Sequence, residues 1–321
     1  MSTLPSILRP FPRLCTVSLY HDQSDDGTQE YVMLRTIILM NLTAIDQNMG
    51  LRGMDAYTQS NRELWNEWAA IHEHSSFYNL DGFKAGRCSL NSIELDALGE
   101  VAGKSLLHLQ CHFGMDTLGW ARRGARVTGA DFSETAIARA RSLSHELNIP
   151  AEFVVSEMQD LPHVLRGTFD IVFTSYGVLL WLPALSHWGQ VVAHFLRPGG
   201  TFFLVEFHPF ASIFDDAIAE LRVRYPYFAQ PNPLAFPVIG SYADRNAPVP
   251  TSVEYCWPFS LSDVVNALIS AGLRIEALHE YPYSCFAQMP LLMSQNDARE
   301  WRLREHADAV PLMFSIKAAK A

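Results

Sequence analysis

A doubly wound α/β fold is what this sequence predicts, and three observations carry that reading. Strand-length apolar runs recur at Ser105–Leu109, Arg126–Ala130, Ala151–Val155, Phe169–Thr174 and Thr201–Val205. Segments with helical spacing separate them, the alternation expected of a parallel sheet covered on both faces. The first run, in SLLHLQCHFG, breaks into a short loop that opens a helix, and Asp131 stands 17 positions after Gly114 at the tip of the second run.

Residues 1–55 show no clean periodicity, mixing prolines, an acidic patch (Asp22, Asp25, Asp26) and the apolar run YVMLRTIILMNL. They are read as a poorly ordered, dispensable extension preceding a single domain over 56–321. In NRELWNEWAAIHEH, residues Leu64, Trp65, Trp68 and Ile71 fall at helical spacing, and Ser89–Val101 reads as a second helix. Residues 56–102, with Phe77, Tyr78 and Lys84, are expected to fold over the site as a helical lid. In the core, 103–207, a helix over Met115–Arg123 stops at Gly124, Ser133 caps a helix running to Leu147, and Leu185–Leu196 is closed by Pro198-Gly199-Gly200. Residues 208–258, containing RYPYFAQPNPLAFP, break the alternation and are read as an insertion that caps a substrate pocket. A helix over Ser260–Ala271, a strand over Leu273–Leu278 and a last strand over Val310–Lys317 complete the core within 259–321.

Composition narrows the function. With 49% hydrophobic and 18% charged residues among 321, the chain is an ordinary globular protein with a large core. A formal net charge of -10 argues against broad binding to a phosphate backbone, so no nucleic-acid partner is expected. Five scattered cysteines without a CxxC pair suit a reducing, cytoplasmic setting. No membrane partner is expected either: YVMLRTIILMNL is interrupted by Arg35 and is shorter than the about 20 residues a bilayer span needs.

Open α/β sheets bind ligands at the carboxyl ends of their strands. Asp131 has the position that takes ribose hydroxyls in nucleotide-binding units, and Glu157, just past the strand FVVS, has the position facing the base. As alternatives, Asp131 caps the following helix and Glu157 is a solvated loop residue. The loop is poor in glycine, with Gln110 and His112 before Gly114, so either it is wide or those side chains face the ligand. His108, Cys111 and His112 are metal-ligand types, but His108 alternates away from the others within a strand and no second ligand pair exists at finger spacing, so no metal is expected.

Taken together, NRELWNEW, FYNLDGFKAG, SLLHLQCHFGMDTLGWARRGARVTGADFS, FDIVFTSYGVLLWLP, LRPGG, VEFHP and PLMFSIKA resemble the class I S-adenosylmethionine-dependent methyltransferases of small-molecule type, from about Asn61 to Lys317. The resemblance implies a Rossmann-like, seven-stranded, mostly parallel sheet with an antiparallel final strand. It implies S-adenosyl-L-methionine as cofactor, with the glycine loop on His108–Gly114, the ribose acid on Asp131 and the adenine-side acid on Glu157. Cofactor contacts are thus expected from His108, Gln110, Cys111, His112, Gly114, Asp131, Phe132, Glu157, Met158, Ser175 and Trp65. The opening motif departs from the family's, which generally has an acid where this chain has His108 and glycines at 110 and 112. A sulfonium ligand has no pyrophosphate to cradle, so the missing glycines count against a dinucleotide more than against S-adenosylmethionine.

Methyl transfer to a small-molecule acceptor is an in-line displacement, helped by a base where the acceptor must lose a proton. TSYG at 174–177 and EFHP at 206–209 occupy strand ends, making His208 the preferred base, with a histidine hydrogen-bonded in the loop before the insertion as its alternative, and Tyr176 and Glu206 as further catalytic candidates. Tyr176 and Trp181 offer aromatic faces to a cation or acceptor, although packing explains Trp181 as well. The aromatics Tyr225, Tyr227, Phe228, Phe236 and Tyr242 of the insertion suggest an apolar or aromatic acceptor. An adenine methyltransferase of DNA would show Asn or Asp, two prolines and an aromatic after the fourth strand, where this chain has TSYG. A non-catalytic S-adenosyl-binding protein and an NAD-dependent oxidoreductase are the alternatives.

Overall fold

The computed structural model describes residues 56–321, so the expected extension over 1–55 lies outside the described residues. Helix α1 (56–72) is followed by α2 (Leu80–Lys84), α3 (Ser92–Leu98), β1 (Ser105–Leu109), α4 (Met115–Arg122), β2 (Arg126–Asp131), α5 (Glu134–Glu146) and β3 (Glu152–Val155). Then come α6 (Leu161–Val164), β4 (Phe169–Ser175), α7 (Leu185–Phe195), β5 (Leu196–Phe207), β6 (Leu234–Pro237), β7 (Val253–Cys256), α8 (Leu261–Ser270), β8 (Leu273–Tyr281), β9 (Met293–Gln295), β10 (Trp301–Leu303) and β11 (Met313–Lys320). The main sheet has seven strands in the order β3-β2-β1-β4-β5-β11-β8. β1 to β5 pair in parallel, while β11 runs antiparallel between β5 and β8. The predicted fold, terminal antiparallel strand included, is the fold observed.

Alternation along the strands builds a core on each face. Leu107 and Leu109 of β1 point to the α7–α8 side, where Val172, Phe202, Leu204 and Phe314 meet Trp188, Phe195 and Leu268. Leu106 points the other way, with Ile171, Phe173, Phe203 and Val205, against Ile93 and Leu98 of α3 and Trp120 of α4. The helices are capped as expected: Ser133 Oγ accepts from the Ala136 N–H, and Ser260 and Asp263 form a reciprocal capping box. Between α7 and α8 the backbones come close at Gly189, where a Cβ would lie 2.5 Å from the Ala267 carbonyl oxygen. Gly189→Ala is therefore expected to destabilise the protein by about 2 kcal/mol, read as a lower denaturant midpoint with unchanged slope.

Two regions stand outside the α/β alternation. The predicted insertion contains the antiparallel hairpin β6–β7. A second segment, 282–312, was not foreseen; it carries the hairpin β9–β10 and displaces the start of the last strand from Val310 to Met313. A small core of Ala211, Met289, Met293, Leu303, Val310 and Leu312 packs it against the start of the insertion. Three-residue strands are too short for periodicity to reveal. Among the described residues, no helix is long and apolar enough to cross a membrane.

Candidate active site

The strand order reverses between β1 and β4, and at the carboxyl ends of those strands the fold leaves a cleft of about 840 Å³. Its floor is the loop after β1. Gln110, His112 and Gly114 all have positive φ, at 56°, 51° and 79°. The two residues that replace glycine thus keep a glycine-type backbone, which costs about 1–2 kcal/mol at each non-glycine position. The loop is not wider; its side chains are turned to new partners. Gln110 Nε2 donates to the Val178 carbonyl at 2.9 Å, and His112 Nε2 lies 2.9 Å from His72 Nδ1 of α1. At Gly114 a Cβ would lie 2.8 Å from the Phe153 ring, so only glycine fits there.

Asp131 closes the loop from the tip of β2. Its Oδ2 accepts the His112 backbone N–H at 2.8 Å and its Oδ1 accepts that of Ser133 at 2.9 Å. Burial pushes its carboxyl up to about 6, opposed by those backbone hydrogen bonds. The Phe132 N–H also bonds this carboxylate, and a carboxylate has about four lone-pair positions, so one remains for a hydroxyl. Phe132 follows it, half-buried. Glu157, past β3, lies 3.7 Å from Arg62 Nη1 of α1, and Met158 beside it packs on the core.

α1 roofs this end of the sheet. Asn66 Oδ1 accepts from Ser133 Oγ and the Thr135 N–H, while Asn61 and Trp68 hydrogen-bond to Tyr255 and Gly240 of the insertion. Trp65, Trp68 and His72 recur on one face of α1, and the Trp65 ring stands edge-on to His112 at 5.2 Å and to Trp181 at 5.3 Å. His72 Nε2 lies 2.5 Å from Ser241 Oγ, and Tyr242 OH pairs with Tyr78 OH at 2.5 Å. Burial pushes His72 down to about 3 and His112 well below its ordinary value, so this polar chain is neutral at pH 7. Phe77 and Tyr78 line the cleft as expected; Lys84 does not, since it ion-pairs with Glu146 at 2.7 Å.

His108 and Cys111 have separate roles. His108 bonds Thr117 Oγ1 at 2.9 Å and Ser175 Oγ at 3.3 Å, and burial pushes it down to about 3. Cys111 Sγ packs beneath Gly129, and burial pushes its thiol well up. With His112 turned to His72, the three metal-ligand types in the loop point to three places. Among the described residues no group of three or more His, Cys, Asp or Glu is placed to hold a metal ion.

The acceptor-side candidates are rearranged. His208 is 3% exposed and is not part of the cleft wall. Its Nδ1 accepts the Phe210 N–H at 3.0 Å, and its Nε2 donates to Glu280 at 2.8 Å. The ring therefore has no free lone pair with which to take a proton, which corrects its expected role as base. Glu206 reaches the cleft wall, but its carboxylate accepts backbone N–H groups from Gly177, Val178 at 2.8 Å, Leu179 at 3.1 Å and Phe207 at 2.6 Å. That saturation makes it a positioning group rather than the catalytic one expected. Tyr176 stays at the cleft, with its hydroxyl donating to Glu94 at 2.8 Å. Of the insertion aromatics, Tyr225, Phe236 and Tyr242 line the cleft; Tyr227 is not on its wall, its hydroxyl taking the Leu261 N–H, and Phe228 faces outward, 69% exposed.

Residues 106–200 match the family model described as a methyltransferase domain. Over those residues the chain is similar to a methyltransferase domain. The match runs from β1 into the start of β5 and so contains the loop, Asp131, Glu157 and Tyr176. α1, the insertion and segment 282–312 lie outside it. An uncharacterized methyltransferase of Synechocystis sp. is 35% identical over 125 residues, 38% of this chain and 56% of that protein. A ubiquinone biosynthesis O-methyltransferase of Xanthomonas oryzae pv. oryzae is 29% identical over 131 residues, 40% of this chain and 54% of that protein. The chain thus spans a little over half the length of the curated relatives it matches. A crystal structure of an S-adenosylmethionine-dependent methyltransferase from Mesorhizobium loti aligns over 74% of this chain and all of that one, at 22% identity and a TM-score of 0.47.

Sequence patterns left unassigned Ser241, which lines the cleft, and Arg62, Asn66, His72 and Glu94, which hold residues around it. The spacing of Trp65, Trp68 and His72 on one helix face signals His72, since it continues the aromatic stripe. Glu94 reads from sequence only as the fourth residue of NSIE, a helix cap.

Proposed function

We propose that this protein transfers a methyl group from S-adenosyl-L-methionine to a small-molecule acceptor by in-line displacement. The observation that carries this is a set of buried polar atoms without partners around the loop: Trp65 Nε1, Gln110 Oε1 and His112 Nδ1. Buried polar groups are nearly always paired, so unpaired atoms on Trp65 and His112 of the cleft wall, with that of Gln110 in the same loop, point to a polar ligand beside them. Together with the spare lone-pair position on Asp131, they fit a ligand with a ribose hydroxyl at one end and a charged amino-acid group at the other. When bound, the cofactor supplies an electrophilic methyl carbon on a sulfonium.

The chain's residues bind, orient and exclude water. Asp131 takes a ribose hydroxyl, Phe132 and Met158 flank the adenine with Glu157 beyond them, and His108 with Ser175 keeps the base of the cleft neutral. α1 is the lid over this end, and the insertion with segment 282–312 forms the acceptor pocket. The aromatic rings of Tyr176, Trp181, Tyr225 and Phe236 on its wall suit an apolar or aromatic acceptor. The O-methyltransferase relative supports the small-molecule class. We place the protein in the cytoplasm, as its scattered free thiols suit.

Calorimetry with S-adenosylhomocysteine and with NAD tests the binding half. Binding of the first and not the second is expected; the reverse result would return the chain to the oxidoreductase reading. Labelled S-adenosylmethionine incubated with a metabolite extract tests the transfer half: labelled product is expected, and tight binding without product would mark a non-catalytic binder.

A further inference from the structure

One carboxylate behind the wall of this cleft has a partner that its helix does not require. Glu94, in the first turn of α3, is fully buried. Its Oε1 accepts the Asn91 backbone N–H at 2.6 Å, which completes the cap of α3. Its Oε2 accepts the Tyr176 hydroxyl from the far side of the sheet end, at 2.8 Å. Tyr176 has a left-handed φ of 43°, fixed by its N–H donating to Val205 O at 2.8 Å and by the donation from Gly177 to Glu206. Strained non-glycine residues cluster where function needs a side chain aimed. Asn91 Nδ2 donates to the same phenolic oxygen at 3.0 Å. That oxygen thus gives one hydrogen bond, receives one and keeps one lone pair. Tyr176 and Asn91 both line the cleft, across the switch point from the loop.

We propose that Tyr176 and Glu94 form a proton relay that removes the proton of the acceptor's hydroxyl, amine or thiol as it is methylated. This rests on the methyl-transfer reading. The acceptor's bond to hydrogen breaks as its heteroatom bonds to the methyl carbon, and the electron pair of the broken sulfur–methyl bond stays on sulfur. The proton passes to Tyr176 Oη while the tyrosine's own proton passes to Glu94 Oε2. A sulfonium charge and a carboxylate charge disappear together, so the buried site ends neutral. Tyr176 touches the acceptor; Glu94 is a positioning residue that acts through it.

The surroundings suit this task. Burial pushes Glu94 up to about 7, against the hydrogen bonds of Asn91 and Tyr176, and Asp116 of α4 raises it further. Cys285, from the segment after β8, is the other titratable group facing the pair, and it in turn faces Glu206 and Asp116. A base with a value near the working pH is efficient in proton transfer.

The test uses the full chain with E94Q and Y176F. Glutamine still accepts the hydroxyl's hydrogen bond but cannot take its proton. Both variants are expected to form labelled product about 100-fold more slowly than wild type, with S-adenosylhomocysteine affinity nearly unchanged. The wild-type rate is expected to fall as pH is lowered through about 7, where Glu94 protonates, and that acidic limb disappears in E94Q. Infrared titration of the S-adenosylhomocysteine complex is expected to show a carboxylic-acid band growing in as pH falls through about 7, to which Glu254 also contributes, and E94Q is expected to lose the Glu94 part of it. An E94Q protein with wild-type rate and an intact acidic limb overturns the relay, as does a titration in which E94Q loses no band. A wild-type protein that binds no S-adenosylhomocysteine removes the methyl-transfer reading instead, and the infrared titration of the free protein then decides alone whether the pair holds a proton.

Discussion

Replacing Glu206 by alanine is expected to lower the stability of the fold by about 4 kcal/mol or more, measured by chemical denaturation at pH 7. The reasoning is a count of donors. Glu206 is 1% exposed, and its two oxygens receive backbone N–H groups from Gly177, Val178, Leu179 and Phe207. Leaving a buried donor unpaired costs about 1–3 kcal/mol, so four of them together exceed what most single core substitutions remove. Glu206→Gln keeps the volume but turns an NH₂ group toward N–H donors, and a smaller loss of about 2 kcal/mol is expected from it. The turn held by this carboxylate carries Tyr176 and the Gly177 carbonyl that receives Trp181 Nε1 at 2.8 Å. Glu206→Gln should therefore slow methyl transfer through misplaced Tyr176 and Trp181 even where the protein remains folded. A stability indistinguishable from wild type in Glu206→Ala would show that water replaces the carboxylate in that turn.

The central sheet was legible because its signals are local. A strand buried on both faces favours apolar residues, and β1, β4 and β5 show it in SLLHL, IVF and FFLV, while β2 is buried with the small residues of VTGA. The spacing from Gly114 to Asp131 was legible for the same reason, since one helix and one strand fix the distance between loop and acid. The side chains at the site were less so. Gln110 and His112 carry no mark of the positive φ that they adopt, because the residues that normally advertise it are absent. His208 sits where a base belongs in sequence, yet the direction of its ring is set by Glu280 on β8 and by the chain's turn at Phe210, both invisible to a one-dimensional reading. Glu94 shows the limit most plainly: its sequence context predicts a cap, and it is one, but the second oxygen's partner lies 82 residues away.

Asp131→Asn is expected to weaken S-adenosylhomocysteine binding about 100-fold, measured by calorimetry at pH 7.5, where the native carboxyl is ionised. A hydrogen bond to a charged group is worth about 1.5–3 kcal/mol, which is what a ribose hydroxyl at the carboxylate's remaining position supplies. The substitution also sets an amide NH₂ against the His112 or Ser133 N–H that the carboxylate now accepts, so part of the loss comes from a loosened loop. Glu157→Gln is the comparison, since its carboxylate is already engaged by Arg62 at a partly exposed site; a loss under about tenfold is expected there. Burial gives the Asp131 effect a pH signature. The ligand binds the ionised acid, and the acid's value in the free protein is raised to about 6, so affinity is level above that pH and falls as pH drops through it. In Asp131→Asn that dependence disappears, whereas in Glu157→Gln it remains. Equal affinities in Asp131→Asn and wild type across this range would detach the acid from the ribose, and with it the assignment of this strand end to the cofactor.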